Sequence, residues 1–190
     1  MAIRVLICGL AAVAALAFPA AAQDRRIAVT FDDLPYQASE TALCDPAELM
    51  RLTTDFVAML KPLDTQGTAF VNEGRVCEPT RVSTLPTALG VWLDGGLDLG
   101  NHSFSHINIH RTTAEAYLAD VDAGAPITRA ALETRGRTLR WFRHPYLFTG
   151  ETQEKHDAIA AGLAQRGYTV APVTIDNNDW MFGDVYCKAE

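Results

Sequence analysis

The sequence predicts an α/β fold of parallel strands that alternate with helices, arranged either as a doubly wound sheet or as a barrel. Short runs of β-branched and aromatic residues alternate along the chain with longer amphipathic segments. Several of these runs end in polar clusters, and in a barrel such ends share the face on which active sites are built. With 48% hydrophobic residues, the composition is typical of a single globular domain.

The first strand and the first helix are both marked by clear boundary residues. A strand is predicted at residues 27–31, and it ends at the carboxylates Asp32 and Asp33 before a Leu-Pro pair breaks it. A helix begins at Asp45-Pro46, because Asp is a favourable N-cap and Pro fits the first helical position. The apolar stripe of this helix consists of Leu49, Leu52, Phe56 and Leu60.

The rest of the chain continues the alternation. Further strands are predicted at residues 68–71, 97–100, 139–142 and 168–175. Helices are predicted at residues 85–93, at about 113–134 and at 151–166, and glycines close the first and the last of these. This order predicts parallel strands that are joined by right-handed crossovers.

The first 22 residues have the pattern of a secretory signal peptide. Arg4 precedes an apolar run, and small residues at positions 20–22 end it as a cleavage site. The run is shorter than the roughly 20 residues that a spanning helix needs, so no stable membrane anchor is expected. We therefore expect residues 23–190 to be exported to the periplasm or secreted.

The charge and the cysteines limit the partners and the kind of site. Loss of Arg4 with the signal peptide changes the formal net charge from −7 to −8, which argues against nucleic acid and anionic membranes as partners. Once the signal peptide is removed, three cysteines remain. Cys44 and Cys77 can form a disulfide with Cys187 as a free thiol, or all three can be independent thiols. No Cys-x-x-Cys pair occurs, so a cysteine-based zinc site is not expected.

Two histidines and two carboxylates are candidates for a metal site. His102 and His106 follow the third predicted strand, and both imidazoles can face one point if this segment turns helically. The adjacent Asp32 and Asp33 repel each other unless a cation or an arginine compensates them, which favours a site of this kind. Since neighbouring strand residues point to opposite sides, the two can differ in role. The alternative is a solvated turn with unrelated histidines.

Four motifs occur in order between Thr30 and Trp180. They are Thr-Phe-Asp-Asp at residues 30–33, His-Ser-Phe-Ser-His at 102–106, Arg-His-Pro-Tyr at 143–146 and Asp-Asn-Asn-Asp-Trp at 176–180. With these motifs the chain resembles the polysaccharide deacetylases of the NodB-homology type, carbohydrate esterase family 4. The resemblance spans nearly all of the expected mature chain.

The resemblance implies a fold and a metal site. The fold is a distorted (β/α)7-type barrel, and the site holds one divalent ion, zinc or a similar ion such as cobalt. The implied metal ligands are Asp33, His102 and His106. Asp32 is the implied general base, and Arg143 pairs with it and keeps its pKa suited to removing a proton.

The resemblance also implies residues for the substrate and for the leaving group. The backbone N–H of Tyr146 stabilises the oxyanion, and Tyr146 and Trp180 bind the substrate. Asp179 holds the histidine of a late Leu-x-His motif, which protonates the departing amine. No histidine follows the fourth motif in this sequence. We therefore expect a domain that is incomplete at its C-terminus, with its last strands missing.

The predicted function is that of an exported metal-dependent hydrolase. It removes N-acetyl or O-acetyl groups from an extracytoplasmic carbohydrate, such as a polymer that contains N-acetylglucosamine. The alternative is an inactive carbohydrate-binding relative that lacks the catalytic acid. Leu34 and Leu147 stand where the family usually has glycine, so the loops beside the site, and the sugar they fit, are expected to differ. The sequence does not indicate an oligomeric state.

Overall fold

Five parallel strands form the centre of the computed structural model, which describes residues 27–35 and 43–182. These strands are β1 (Val29–Leu34), β2 (Gly67–Val71), β3 (Asp98–Asn101), β4 (Trp141–Phe142) and β5 (Thr169–Val170). Each strand pairs with the next one in the sequence. A doubly wound sheet reverses its strand order, and this sheet does not, so the winding is that of a (β/α) barrel. The predicted fold class is confirmed, whereas the expected signal peptide and Cys187 lie outside the described residues.

Helices cover the sheet between successive strands. They are α1 (Pro46–Leu60), α2 (Glu78–Ser83), α3 (Leu85–Asp94), α4 (Ala114–Ala123), α5 (Pro126–Glu133) and α6 (Gln153–Gln165). Helix α3 packs between α1 and α5, and α4 packs on α6. The Asp45 side chain caps α1 as predicted, since it accepts the backbone N–H of Ala47 at 2.8 Å. Within the described part of the chain, no helix is both long enough and apolar enough to cross a membrane.

The single helix predicted at about residues 113–134 is wrong. The chain forms two helices there, α4 and α5, which are separated at Gly124 and Ala125. Pro126 cannot continue a helix, because it lacks a backbone N–H and its ring clashes with the preceding turn. A Cβ at Gly124 would lie 2.6 Å from the backbone nitrogen of Phe104. The break therefore lets the end of α4 approach the loop that carries both candidate histidines.

Other elements also differ from the prediction. Strand β1 continues to Leu34, so Asp32 and Asp33 lie inside the strand rather than after it. Helix α2 is an additional helix that precedes α3. The strand predicted at residues 168–175 is only two residues long. It pairs with β4, which is also only two residues long, whereas a strand was predicted at residues 139–142.

Cys44 and Cys77 form a disulfide, which decides between the two alternatives that the sequence left open. Their Cα atoms are 4.9 Å apart, and the bond joins the start of α1 to the start of α2. The hydroxyl of Thr80 donates a hydrogen bond to the carbonyl of Cys44 at 2.6 Å, which fixes the same junction.

Replacing Cys44 and Cys77 together by serine is expected to lower the free energy of unfolding by about 3 to 4 kcal/mol. The disulfide closes a loop with a sequence separation of 33, and cross-links of this span restrict the unfolded chain by about this amount. Urea unfolding of both proteins measures the difference. As a control, dithiothreitol should destabilise the wild type and leave the double variant unchanged. Equal unfolding midpoints for both proteins would contradict the prediction.

Candidate metal centre

Side chains from two strand ends converge at the carboxyl edge of the sheet. Asp33 lies near the end of β1, and His102 follows β3 directly. His106 lies four residues further on, and its ring centroid is 5.1 Å from that of His102. Each of the three side chains offers one ligand atom, and these atoms lie within 4.8 Å of one another.

The two histidines reach this point through an irregular loop, so the helical turn that the sequence indicated as one condition for their convergence is not needed. Ser103 and His106 have left-handed φ angles of 67° and 56°. Such angles are uncommon for residues other than glycine, and they reverse the direction of the chain. The loop brings the His106 ring beside that of His102 without a helix.

Polar side chains from three parts of the fold hold this loop in place. Asn72, which follows β2, donates from Nδ2 to the carbonyls of both His102 and Ser103. Asn101 accepts the backbone N–H of Ser103 at 2.7 Å. Asp120 of α4 accepts the next two backbone N–H groups, each at 3.1 Å. The left-handed conformation is therefore fixed by residues outside the loop.

The spacing of the candidate ligand atoms fits a divalent metal ion. Nε2 of His102 lies 3.6 Å from Oδ1 of Asp33, and Nε2 of His106 lies 3.3 Å from the same oxygen. Hydrogen bonds between such atoms are usually shorter than about 3.2 Å. Ligand atoms that lie about 2.1 Å from a tetrahedral ion are about 3.4 Å apart, which is close to the distance of each imidazole nitrogen from the Asp33 oxygen.

Hydrogen bonding and burial keep His102 in the form that binds metal. Its Nδ1 lies 2.8 Å from the carbonyl oxygen of Arg143. Because a carbonyl only accepts, Nδ1 carries the proton, and Nε2 presents its lone pair toward Asp33. Burial lowers the pKa of His102 below its usual value, and burial also lowers the pKa of His106. Both imidazoles are therefore neutral near pH 7, as metal binding requires.

Asp32 has a different partner from its neighbour Asp33. Nη1 of Arg143 lies 3.2 and 3.0 Å from the two carboxylate oxygens of Asp32. The guanidinium is itself fixed, because it also donates to the carbonyl of Ala171 at 2.7 Å and to the hydroxyl of Thr30 at 3.2 Å. Burial raises the pKa of Asp32 above its usual value, and the charge of Arg143 opposes this shift. A carboxylate in this position can take a proton from water.

The third motif forms a tight turn beside His106. His144 is buried, and its Nδ1 lies 2.8 Å from the hydroxyl of Tyr117. Tyr146 and Leu147 both have a φ of 59°, a conformation that costs a residue other than glycine on the order of 1 kcal/mol or more. Leu147 thus occupies the backbone conformation of the glycine that the resemblance led us to expect. The ring of Tyr146 lies 4.5 Å from that of His106.

Comparison with known families decides the classification. A family model described as polysaccharide deacetylase matches residues 20–176. The chain belongs to the polysaccharide deacetylase family. A comparison with curated proteins finds no match.

Solved structures of carbohydrate esterase family 4 share the fold of this deacetylase-family chain. The polysaccharide deacetylase Bc1974 from Bacillus cereus has a TM-score of 0.58 and 21% identity, over 83% of this chain and 64% of that chain. The peptidoglycan deacetylase PdaC from Bacillus subtilis has a TM-score of 0.51 and 27% identity, over 81% and 61%. A mutant of the Bacillus anthracis pseudoenzyme BA3943 with restored enzymatic activity has a TM-score of 0.57 and 20% identity, over 81% and 46%. The chain thus spans between 46% and 64% of the length of these structures.

The fourth motif of this deacetylase-family chain lies on the surface. Asp176, Asp179 and Trp180 are exposed. The hydrogen bonds of this segment are local, since Asp176 accepts the N–H of Asn178 at 2.9 Å and Asn177 accepts that of Asp179 at 3.2 Å. The structure therefore brings the residues of the first three motifs together and does not join Asp179 or Trp180 to them by hydrogen bonds. Their roles stay predictions.

Arg75, which no motif in the sequence pointed to, also contacts the candidate centre. Its Nη1 lies 3.4 Å from Oδ1 of Asp33. An arginine beside a ligating carboxylate helps to orient it, as outer hydrogen-bond partners of metal ligands do. Arg75 lies in the short helix after β2, so a search of the residues that follow every predicted strand would have found it.

Proposed function

We propose that the chain is a metal-dependent deacetylase that removes the acetyl group from an N-acetylated carbohydrate outside the cytoplasm. The observation that carries the proposal is the spacing of Asp33, His102 and His106 beside the pair formed by Asp32 and Arg143. Two neutral imidazoles and one carboxylate form a common ligand set of hydrolytic zinc sites.

The proposed reaction uses residues of the first three motifs. Asp33, His102 and His106 would hold the divalent ion, which when bound supplies Lewis acidity toward the acetyl carbonyl and toward water. Asp32 accepts the proton of the attacking water, and Arg143 keeps the carboxylate in place for this transfer. Hydrolysis breaks the amide C–N bond and releases acetate and a free amine.

The departing amine needs a proton, and Asp32 can return the one that it has taken from water. His144 is a poor candidate for this step although it belongs to the third motif. It packs against Tyr117, and burial lowers its pKa to about 4, so its imidazole is neutral at pH 7. We therefore assign both proton transfers to Asp32 and propose that the backbone N–H of Tyr146 stabilises the oxyanion.

Two further observations support the substrate class and the compartment. PdaC, whose sequence is 27% identical, is a peptidoglycan deacetylase, which supports an N-acetylated glycan as the substrate. The disulfide between Cys44 and Cys77 supports export, because disulfides persist in oxidising compartments. The signal peptide at residues 1–22 stays part of this proposal.

Removal of the metal is expected to abolish acetate release. The full chain is assayed on N-acetylated chito-oligosaccharides and on peptidoglycan after treatment with EDTA, and again after addition of zinc or cobalt. We expect EDTA to abolish acetate release and either ion to restore it. The reason is that the ion would both polarise the acetyl carbonyl and lower the pKa of the attacking water. If the chain binds these glycans and releases no acetate with any ion, it is an inactive carbohydrate-binding relative.

A further inference from the structure

Arg75 faces the same carboxylate oxygen as the two candidate histidines. Its Nη1 lies 3.4 Å from Oδ1 of Asp33, and the Nε2 atoms of His102 and His106 lie 3.6 and 3.3 Å from that oxygen. A guanidinium only donates hydrogen bonds and stays charged in proteins, so it cannot itself bind a metal ion. Arg75 is therefore a cation beside the place where a second cation would bind.

The backbone that carries Arg75 is fixed from two sides. The buried carboxylate of Glu73 accepts the backbone N–H of Thr128, in the first turn of α5, at 2.7 Å. The N–H of Gly74 donates to the carbonyl of Phe104, in the loop that carries both histidines, at 3.0 Å. A Cβ at Gly74 would lie 2.5 Å from that carbonyl oxygen, so a larger residue would have to displace the loop. The fold therefore holds the backbone of Arg75 next to the loop of the candidate ligands.

The two arginines at the centre differ in how firmly their side chains are held. Arg143 is buried, and besides Asp32 it has a backbone carbonyl and a hydroxyl as hydrogen-bond partners. The side chain of Arg75 is 24% exposed, and its 3.4 Å contact with Asp33 is longer than the roughly 2.7 to 2.9 Å of a charge-assisted hydrogen bond. The guanidinium of Arg75 can therefore withdraw toward solvent when another cation takes its place at Oδ1.

The charges of the centre balance before any ion is added. Asp32 and Asp33 carry two negative charges, and Arg143 and Arg75 carry two positive charges. Without Arg75, two carboxylates and one arginine would leave one negative charge in excess. A divalent ion thus enters a neutral group of residues, which attracts it less than an anionic group would.

Arg75 has two effects on a bound ion, and they have opposite signs. A partner that hydrogen-bonds a metal-ligating side chain orients it, and its loss typically weakens metal binding about 10- to 100-fold. That effect requires a short, aligned hydrogen bond, and the contact with Asp33 is long. Repulsion between the guanidinium and the ion requires no such contact, because it falls off only with the inverse of distance. We therefore expect the repulsion to be the larger effect.

We propose that Arg75 is an internal counterion of Asp33 that competes with the divalent ion and so sets the affinity of the centre for it. When no ion is bound, Arg75 compensates the charge of Asp33 and stabilises the fold. Binding of the ion displaces the guanidinium from Oδ1. The inference rests on the metal site of the proposed function. Its consequence is that the occupancy of the centre follows the concentration of free ion over a higher range than the three ligands alone would give.

Zinc titration of the full chain and of two variants, Arg75→Gln and Arg75→Lys, tests the competition. Arg75→Gln removes the charge and should lower the dissociation constant of zinc at least about tenfold. Arg75→Lys keeps the charge and should stay within about threefold of the wild type. The control is Arg51→Gln, which removes an exposed arginine on α1 and should leave the constant unchanged.

Melting temperatures separate the competition from a merely structural role. Without zinc, Arg75→Gln should melt below the wild type, because Asp33 loses a compensating charge. Saturating zinc should then raise the melting temperature of Arg75→Gln by more than it raises that of the wild type, since a ligand stabilises the folded state more when it binds more tightly. A variant that was only structurally damaged would bind zinc less tightly than the wild type.

Two results would overturn the competition. One is unchanged or weaker zinc binding in Arg75→Gln, and the other is an equal gain in Arg75→Gln and Arg75→Lys, which would show that the charge is not the cause. Either result, together with one zinc ion per wild-type chain, removes this inference and leaves the proposed metal centre intact. If neither the wild type nor the variants bind zinc, the proposed metal centre fails and the competition fails with it.

Discussion

Asp32→Asn is expected to lower acetate release by about 10² to 10⁴ while the protein keeps its metal. An asparagine has nearly the same shape as aspartate and can still accept a hydrogen bond from Arg143, but it cannot take a proton from water. Asp32 is also not among the three side chains whose ligand atoms converge. The rate of acetate release measures the loss of activity, and the metal content of the same preparation measures whether the ion is retained.

The control for this variant is Asp64→Asn, which makes the same chemical change at an exposed turn residue with a left-handed φ of 46° that asparagine also tolerates. This control should release acetate at the wild-type rate. The pH profile of the wild type gives a second check. Since burial raises the pKa of Asp32, the rate should fall with decreasing pH at values above the usual pKa of an aspartate. A wild-type rate in Asp32→Asn would show that another group takes the proton.

His106→Ala is expected to weaken the binding of zinc by at least about 100-fold, starting from one ion per wild-type chain. The substitution removes one of three ligand atoms, and the remaining pair of His102 and Asp33 holds an ion poorly. Titration against a chelating indicator measures the affinity and the stoichiometry. Asp33→Ala should have a similar effect, in contrast to Asp32→Asn.

Two further variants separate metal binding from folding. His106→Gly removes the same imidazole, and glycine adopts the φ of 56° without strain. If both variants lose affinity for zinc, the loss is therefore not caused by backbone strain. His156→Ala removes a half-exposed imidazole on α6 and should leave the affinity unchanged. Unchanged stoichiometry and affinity in His106→Ala and His106→Gly would rule out the proposed ligand set.

The parts of the fold that depend on local signals could be predicted from the sequence. The start of α1 was predicted because its cap and its first proline are local, and the side chain of Asp45 does cap the helix. Alternation of strands and helices predicted parallel strands, and it also predicted that polar residues at strand ends would meet. Asp33 and His102 are separated by many residues and lie together for this reason.

The parts that depend on distant contacts could not be predicted in the same way. From the sequence, a helical turn was the one way considered for His102 and His106 to face the same point, but Asn72 and Asp120 hold this loop with left-handed angles through hydrogen bonds from other elements. The length of the last strand depends on its pairing with β4, which no local pattern records. The break before α5 is different, because Pro126 was visible in the sequence and should have ended the preceding helix.

Arg143 supports both halves of the candidate site through different atoms. Its guanidinium fixes Asp32, whereas its backbone carbonyl fixes the tautomer of His102. Every residue has a backbone carbonyl, so a substitution of Arg143 leaves the hydrogen-bond acceptor of His102 in place. The same substitution removes the guanidinium and so changes the pKa of Asp32. The acidity of Asp32 and the metal-binding form of His102 can therefore change independently of each other, although one residue controls both.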